Sequence, residues 1–217
     1  MRAAGPDSPF RVLGDEEVLA EEETLDSALM LLGGHLILHV AEHAPDHVFV
    51  HAGVVAWQDR ALLLPGVSFA GKSTLVAELV RAGATYYSDE FALIDPDGRV
   101  HPFPRDLRMR RPGHPEQTPV PVEQLHGRSG TAAVPVNLVV FTEFAEGAHW
   151  APEPLSPGRA ALEMLLHATP VLRTPARVMA TVSSVMREAT AWRSQRGEAA
   201  IAASALLSAM ATGGALA

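Results

Sequence analysis

No cysteine occurs among the 217 residues, so disulfides and thiolate sites for zinc or iron–sulfur clusters are excluded. Positive charge is in deficit: 17 Lys and Arg stand against 25 Asp and Glu, a formal net charge of −8. A nucleic-acid-binding surface needs a basic footprint, so no nucleic-acid partner is expected. Long apolar runs are missing as well. The best, Leu29 to Val40, is broken by Gly33, Gly34, His35 and His39 and falls short of the roughly 20 residues that span a bilayer. Met1 to Asp7 lacks the apolar core of a signal peptide. These absences predict a soluble, cytoplasmic chain with no membrane partner, and the missing cysteines agree with a reducing compartment.

Lysine is nearly absent too. Lys72 is the single one, and the other sixteen basic residues are arginine. Its setting is Gly66-Val67-Ser68-Phe69-Ala70-Gly71-Lys72-Ser73, followed by Thr74. Every fixed position of G-x-x-x-x-G-K-[ST] is met, and a strand is predicted before it (60–64) and a helix after it (72–81). The spacing has a chemical reason. Glycines let the backbone wrap a β-phosphate so that amides at Gly66, Ser68, Ala70, Gly71, Lys72, Ser73 and Thr74 face its oxygens. Lys72 supplies a compact ammonium between the β- and γ-phosphates, where a planar guanidinium fits poorly. Ser73 offers a hydroxyl to Mg²⁺. The expected cofactors are ATP and Mg²⁺. Asp89 and Glu90, after a predicted strand at 84–88, are the nearest acids for the metal or the attacking group; a plain pair of strand-end acids is the competing reading.

A hydrophobic fraction of 47% is ample for a core. An acidic N-terminal arm is expected over 1–24, with an edge strand near Phe10 to Leu13, and a single domain over 25–217. Thr24 is placed to cap a helix from Leu25 to about Glu42. Val48 to Trp57, a Gln58-Asp59 turn, Ala84 to Ser88, Phe91 to Ile94 and a hairpin through Pro96-Asp97-Gly98 make the first half β-rich. Residues 104–135 read as a proline-rich irregular loop. Val136 to Phe141 reads as a buried strand, and helices are expected at about 157–167, 175–192 and 198–210. His35, His39 and His43 share a helical face, which is more in keeping with packing or exposure than with a metal site, because no carboxylate motif accompanies them. Arg105, Arg108, Arg110 and Arg111 form either a phosphate- or peptide-binding edge or a solvated one.

Several segments together resemble the HPr kinase/phosphorylase-like family. They are His51-Ala52-Gly53-Val54-Val55, Leu63-Leu64-Pro65-Gly66 with its loop, Ser88-Asp89-Glu90-Phe91-Ala92-Leu93-Ile94-Asp95, His101-Pro102-Phe103-Pro104-Arg105 and Glu153-Pro154-Leu155-Ser156-Pro157. The resemblance covers most of the chain after about residue 25 and is closest to the short HPr kinase-related proteins, which include kinases of lasso-peptide precursors. It implies an α/β fold similar to the nucleotide-binding core of phosphoenolpyruvate carboxykinase, a mixed sheet with flanking and C-terminal helices. It also implies an ATP-dependent kinase that phosphorylates a serine of a peptide or small protein. In that scheme Asp89 is the general base, Glu90 helps hold Mg²⁺ where larger members carry Asp, His51 lies near the catalytic acid, and the protein forms homo-oligomers. The family's N-terminal domain, its glycine-rich signature after the hairpin and its later arginine motif are not found, so reversal by phosphorolysis is not expected. The alternatives are a non-catalytic ATP sensor and a small-molecule kinase closed by the 104–135 loop.

Overall fold

Strands outnumber helices in the computed structural model of the chain, which describes residues 9–15, 17–67, 70–110, 117–169 and 171–214. These divide into two units, 1–44 and 45–217. In the first, β1 (Phe10–Gly14) and β2 (Glu17–Glu22) form an antiparallel hairpin. Arg11 and Glu21 stand opposite each other in it and pair at 2.6 Å. Helix α1 (Leu25–His43) starts at Thr24, whose hydroxyl accepts from the Ser27 amide, as its sequence predicts.

Two sequence expectations change here. The strand expected near Phe10 to Leu13 is β1, but the arm around it folds back as a hairpin, and α1 belongs to the same unit as that hairpin rather than to the unit that begins at Pro45. The apolar run also continues through Gly33 and Gly34 as unbroken helix. Each glycine costs about 1 kcal/mol relative to alanine, which the helical neighbours on both sides absorb. Among the described residues α1 is the one helix long and apolar enough, by length and composition, to cross a membrane.

The second unit opens with the hairpin of β3 (Val48–Trp57) and β4 (Arg60–Pro65). Gln58 and Asp59 turn it with φ of 50° and 57°, the twist that a two-residue hairpin loop requires. Helix α2 (Lys72–Arg81) follows and stops at Gly83, φ 102°. Next come β5 (Thr85–Ser88), β6 (Phe91–Ile94), β7 (Arg99–His101), β8 (Leu107–Arg110), β9 (Gln117–Val120), a 3-10 turn (Val122–Leu125) and β10 (Val134–Phe144). The chain ends with β11 (Glu153–Pro154), α3 (Pro157–Leu165), α4 (Pro175–Glu188), β12 (Thr190–Arg196) and α5 (Ala199–Ala211).

The unit is α/β, built on a mixed sheet in the order β11-β12-β10-β4-β3-β6-β7, with β5 also paired to β3. β4, β10 and β12 run parallel to one another, and β3 runs against β4, β5 and β6. Alternation along the strands gives the sheet two buried faces. Leu62, Leu64, Leu138, Val140 and Trp192 pack with Leu75, Leu79, Leu206 and Met210 of α2 and α5. Val54, Leu63, Val139 and Ala191 pack with Met164, Val178, Val182 and Val185 of α3 and α4.

The expected 104–135 loop is shorter than its sequence suggests. Leu107 is fully buried, and β8 and β9 pair antiparallel within it; residues 111–116 lie outside the described ones. The helix expected over 175–192 ends at Glu188, where Ala189 turns extended. Trp192 then lies in β12, not in a helix. Val178, Val182, Val185 and Met186 are core residues of α4 at helical spacing.

Candidate functional site

Strand direction gathers the candidate residues at one end of the sheet. The Gly66–Gly71 segment leaves the carboxyl end of β4 and enters α2. β3 is antiparallel to β4, so the first half of β3 returns to that end: Ala52 pairs with Pro65, and the Gly66 amide donates to the His51 carbonyl at 3.2 Å. β5 and β6 oppose β3 and so run with β4. The Asp89-Glu90 turn between them therefore arrives at the same end, with Phe91 opposite His51. Ser88 shapes that turn, its hydroxyl accepting from the Glu90 and Phe91 amides at 3.1 and 3.0 Å.

Gly71 precedes α2 with φ of 80°, and the helix has no side-chain cap. The free amides of its first turn carry the positive end of the helix dipole. Lys72 is the first helical residue and is 9% exposed. Its ammonium turns back and donates to the carbonyls of Gly66 at 2.9 Å and Val67 at 2.7 Å. Burial pushes its pKa down to about 8, against the opposing pull of the Asp89 carboxylate. Ala70 donates to the Val67 carbonyl, Ser73 and Thr74 continue the first turn of α2, and Ser68 lies outside the described residues.

Asp89 is 8% exposed. The Tyr86 hydroxyl lies 3.0 Å from Oδ1, and the Arg108 amide donates to Oδ2 at 3.1 Å. The single Tyr86 proton is shared between Asp89 and the Arg105 carbonyl, 2.8 Å away. Burial first, and then the Asp89 charge, push the Tyr86 hydroxyl upward, so it remains a donor. Glu90 faces solvent and pairs with Arg105 at 2.8 Å. His51 is held down to about 4, by burial first and then by the Lys72 and His167 charges. His167, on the turn after α3, is lowered by burial and by Lys72, against Glu163. Its carbonyl accepts from the His51 amide at 2.8 Å.

Thus Lys72, Asp89 and His51 come together at one electrostatically coupled site, with Glu90 at its exposed rim. Four contributors carry no sequence signal that marks them: Tyr86, the Arg108 main-chain amide, His167 and Arg196. Arg196 is 2% exposed at the end of β12. It donates to the Gly71 carbonyl at 2.7 Å and to the Gly197 carbonyl at 3.2 Å. Its Nε has no partner and it makes no ion pair among the described residues. A Cβ at Gly71 would fall 2.3 Å from the Arg196 guanidinium, so that side chain would have to shift, and the left-handed φ of 80° is what favours glycine there.

Neither a family model nor a curated protein matches the sequence. Two buried cations, Lys72 and Arg196, flank the start of α2: Lys72 is its first residue, and Arg196 donates to the Gly71 carbonyl before it. Beside them a buried carboxylate is held by neutral donors. No three His, Asp or Glu side chains converge as a metal cluster among the described residues. Mg²⁺ bound mainly through phosphate and water needs only one or two carboxylates; of the residues expected to hold it, Asp89 accepts from the Tyr86 hydroxyl and the Arg108 amide, and Glu90 pairs with Arg105. A separate cleft of about 300 Å³ lies by Gly98, Arg99, Pro135 and Ser184. Pro135 is the second residue of β10 and Gly66 follows the end of the parallel β4, so that cleft is at the opposite end of the sheet.

Proposed function

We propose that the protein is an ATP-dependent kinase that transfers a γ-phosphoryl group to a serine hydroxyl of a peptide or small protein, on a P-loop core of the HPr kinase/phosphoenolpyruvate carboxykinase type. The observation that carries this reading is the coupling of Lys72 and Asp89: the chain's one lysine begins α2, and a buried carboxylate lies within its field. An anion site alone has no use for a carboxylate at that position. A phosphoryl transfer site does, because the attacking hydroxyl must lose a proton beside the phosphate.

In this reading the amides of the Gly66–Thr74 segment and the Lys72 ammonium hold the β- and γ-phosphates. Phosphate oxygens displace the Gly66 and Val67 carbonyls from Lys72. Ser73, with Asp89 and Glu90, would hold Mg²⁺, which neutralises charge on the phosphates when bound. Asp89 takes the proton from the serine hydroxyl as its oxygen bonds to the γ-phosphorus and the bond to the ADP oxygen breaks. Tyr86 and the Arg108 amide orient the Asp89 carboxylate. His51 stays neutral and lines the acceptor side.

Incubation of the purified protein with γ-labelled ATP, Mg²⁺ and a cell lysate, followed by phosphoamino-acid analysis, tests the proposal. Labelled phosphoserine on a peptide or protein is expected. Tight ATP binding with no labelled acceptor under any condition would replace the kinase with a nucleotide sensor, and a labelled metabolite would replace it with a small-molecule kinase.

A further inference from the structure

A bound nucleotide needs a place for its base as well as its phosphates. The acids and histidines lie on the β3, β5 and β6 side of the Gly66–Gly71 segment. The nucleoside end therefore leaves on the other side, across the carboxyl ends of β10 and β12. Phe144, the last residue of β10, stands there at 54% exposure and is the one exposed Phe, Tyr or Trp among the described residues.

Its direction follows from strand period. Leu138 and Val140 of β10 are buried against α2 and α5. Phe144, an even number of residues further along, faces the same way and emerges beside the start of α2. A Cβ added to Gly71 would lie 3.6 Å from Phe144 Cβ. The position is also rigid. Phe144 is in register with Arg196, whose guanidinium carbon lies 5.8 Å from the ring centroid. The next amide, Ala145, donates to the Arg196 carbonyl at 2.9 Å. Gly197 lets the 145–148 turn close down on the strand end, since a Cβ there would fall 2.5 Å from the Ala148 carbonyl oxygen. Arg196 thus ties one side chain to both features: it binds the Gly71 carbonyl and braces the Phe144 ring.

We propose that Phe144 is the stacking platform for the base of the bound nucleotide, with Arg196 as the positioning residue that fixes the platform against the start of α2. The inference rests on the nucleotide-binding reading above. An exposed ring held from behind by a cation leaves an open π-face for a flat heterocycle, and stacking tolerates different bases because each has such a face. The site takes a nucleoside triphosphate through general stacking rather than base-edge recognition.

Calorimetry with two magnesium-bound probes, ATP and inorganic tripolyphosphate, separates base from phosphate contacts. Phe144→Ala should weaken ATP on the order of tenfold and leave tripolyphosphate unchanged, while Phe144→Tyr should retain ATP affinity. Phe144 is half exposed, so neither change removes core packing. Unchanged ATP affinity in Phe144→Ala, or an equal loss for both probes, overturns the platform. Failure of the unaltered protein to bind either probe overturns the nucleotide reading itself, and the platform with it.

Discussion

The ammonium of Lys72 donates to the carbonyl of Val67 at 2.7 Å. The chain's one lysine thus bonds to the segment that precedes it instead of reaching solvent, and Gly66 supplies a second acceptor at 2.9 Å. A buried cation satisfied only by main-chain carbonyls keeps most of its attraction for an anion. This relationship sets the first expectations.

Replacing Lys72 should remove nucleotide binding. Lys72→Ala is expected to abolish the calorimetric signal for Mg²⁺-ATP, and Lys72→Arg to fail to restore it, because a planar guanidinium cannot meet both carbonyls and then a phosphate from the same enclosed position. Affinity of Lys72→Arg within a few-fold of the unaltered protein would refute the role given to the ammonium.

Asp89→Asn should separate binding from transfer. The amide keeps the size of the carboxylate and still accepts from Tyr86 or the Arg108 amide, but it is a poor proton acceptor. ATP affinity is expected to hold within a few-fold, while transfer to serine falls by about 10²-fold or more. Tyr86→Phe should reduce transfer by less, since it removes an orienting donor and leaves the base. Full transfer in Asp89→Asn would show that another group takes the proton.

The pH dependence has a definite sign. With Lys72 near 8 in the free protein, Mg²⁺-ATP affinity should be flat from about pH 6 to 7.5 and fall as pH rises past 8, whereas a solvated lysine would hold its charge to about 10.4. The folded-state value is below the unfolded one, so the unfolded chain binds more protons between about pH 8 and 10.5 and stability rises with pH across that window. His51, near 4, is neutral throughout and contributes no limb near pH 6.5. Calorimetry and denaturant unfolding at matched pH values check both slopes.

Gly71→Ala should destabilise the protein by about 1 to 2 kcal/mol, chiefly through the left-handed φ of 80°, with the Arg196 guanidinium shifting aside. The measurement is the shift of the denaturant midpoint at unchanged slope. A midpoint equal to that of the unaltered protein would mean that neither the φ nor the shift of Arg196 carries a cost.

Elements that depend on neighbouring residues were legible in advance. Thr24 caps α1, Gln58-Asp59 turns β3 into β4, Gly83 stops α2, and the boundaries of α2 follow from the glycine–lysine segment and the apolar spacing of Leu75, Val76, Leu79 and Val80. β12 was hidden for a physical reason. Its inward positions toward the carboxyl end are Ser194 and Arg196, polar residues buried at the site, so the hydrophobic alternation that identifies a strand is missing. β8 is only four residues long within a proline-rich stretch, and its inward face is just Leu107 and the partly buried Met109, too short an alternation to mark a strand by itself.

Local chemistry in the chain determined where the glycine–lysine segment would lie between a strand and a helix, and which acids would follow it, because those features need only fixed spacing and short-range backbone preference. Tertiary structure alone decided that Arg196 would reach Gly71 across 125 residues, that the Arg108 amide and Tyr86 would hold Asp89, and that His167 would join His51 beside Lys72. Those partners meet through strand order and direction in the sheet, which depend on how distant strands bury their faces together, and no local pattern of residues encodes that.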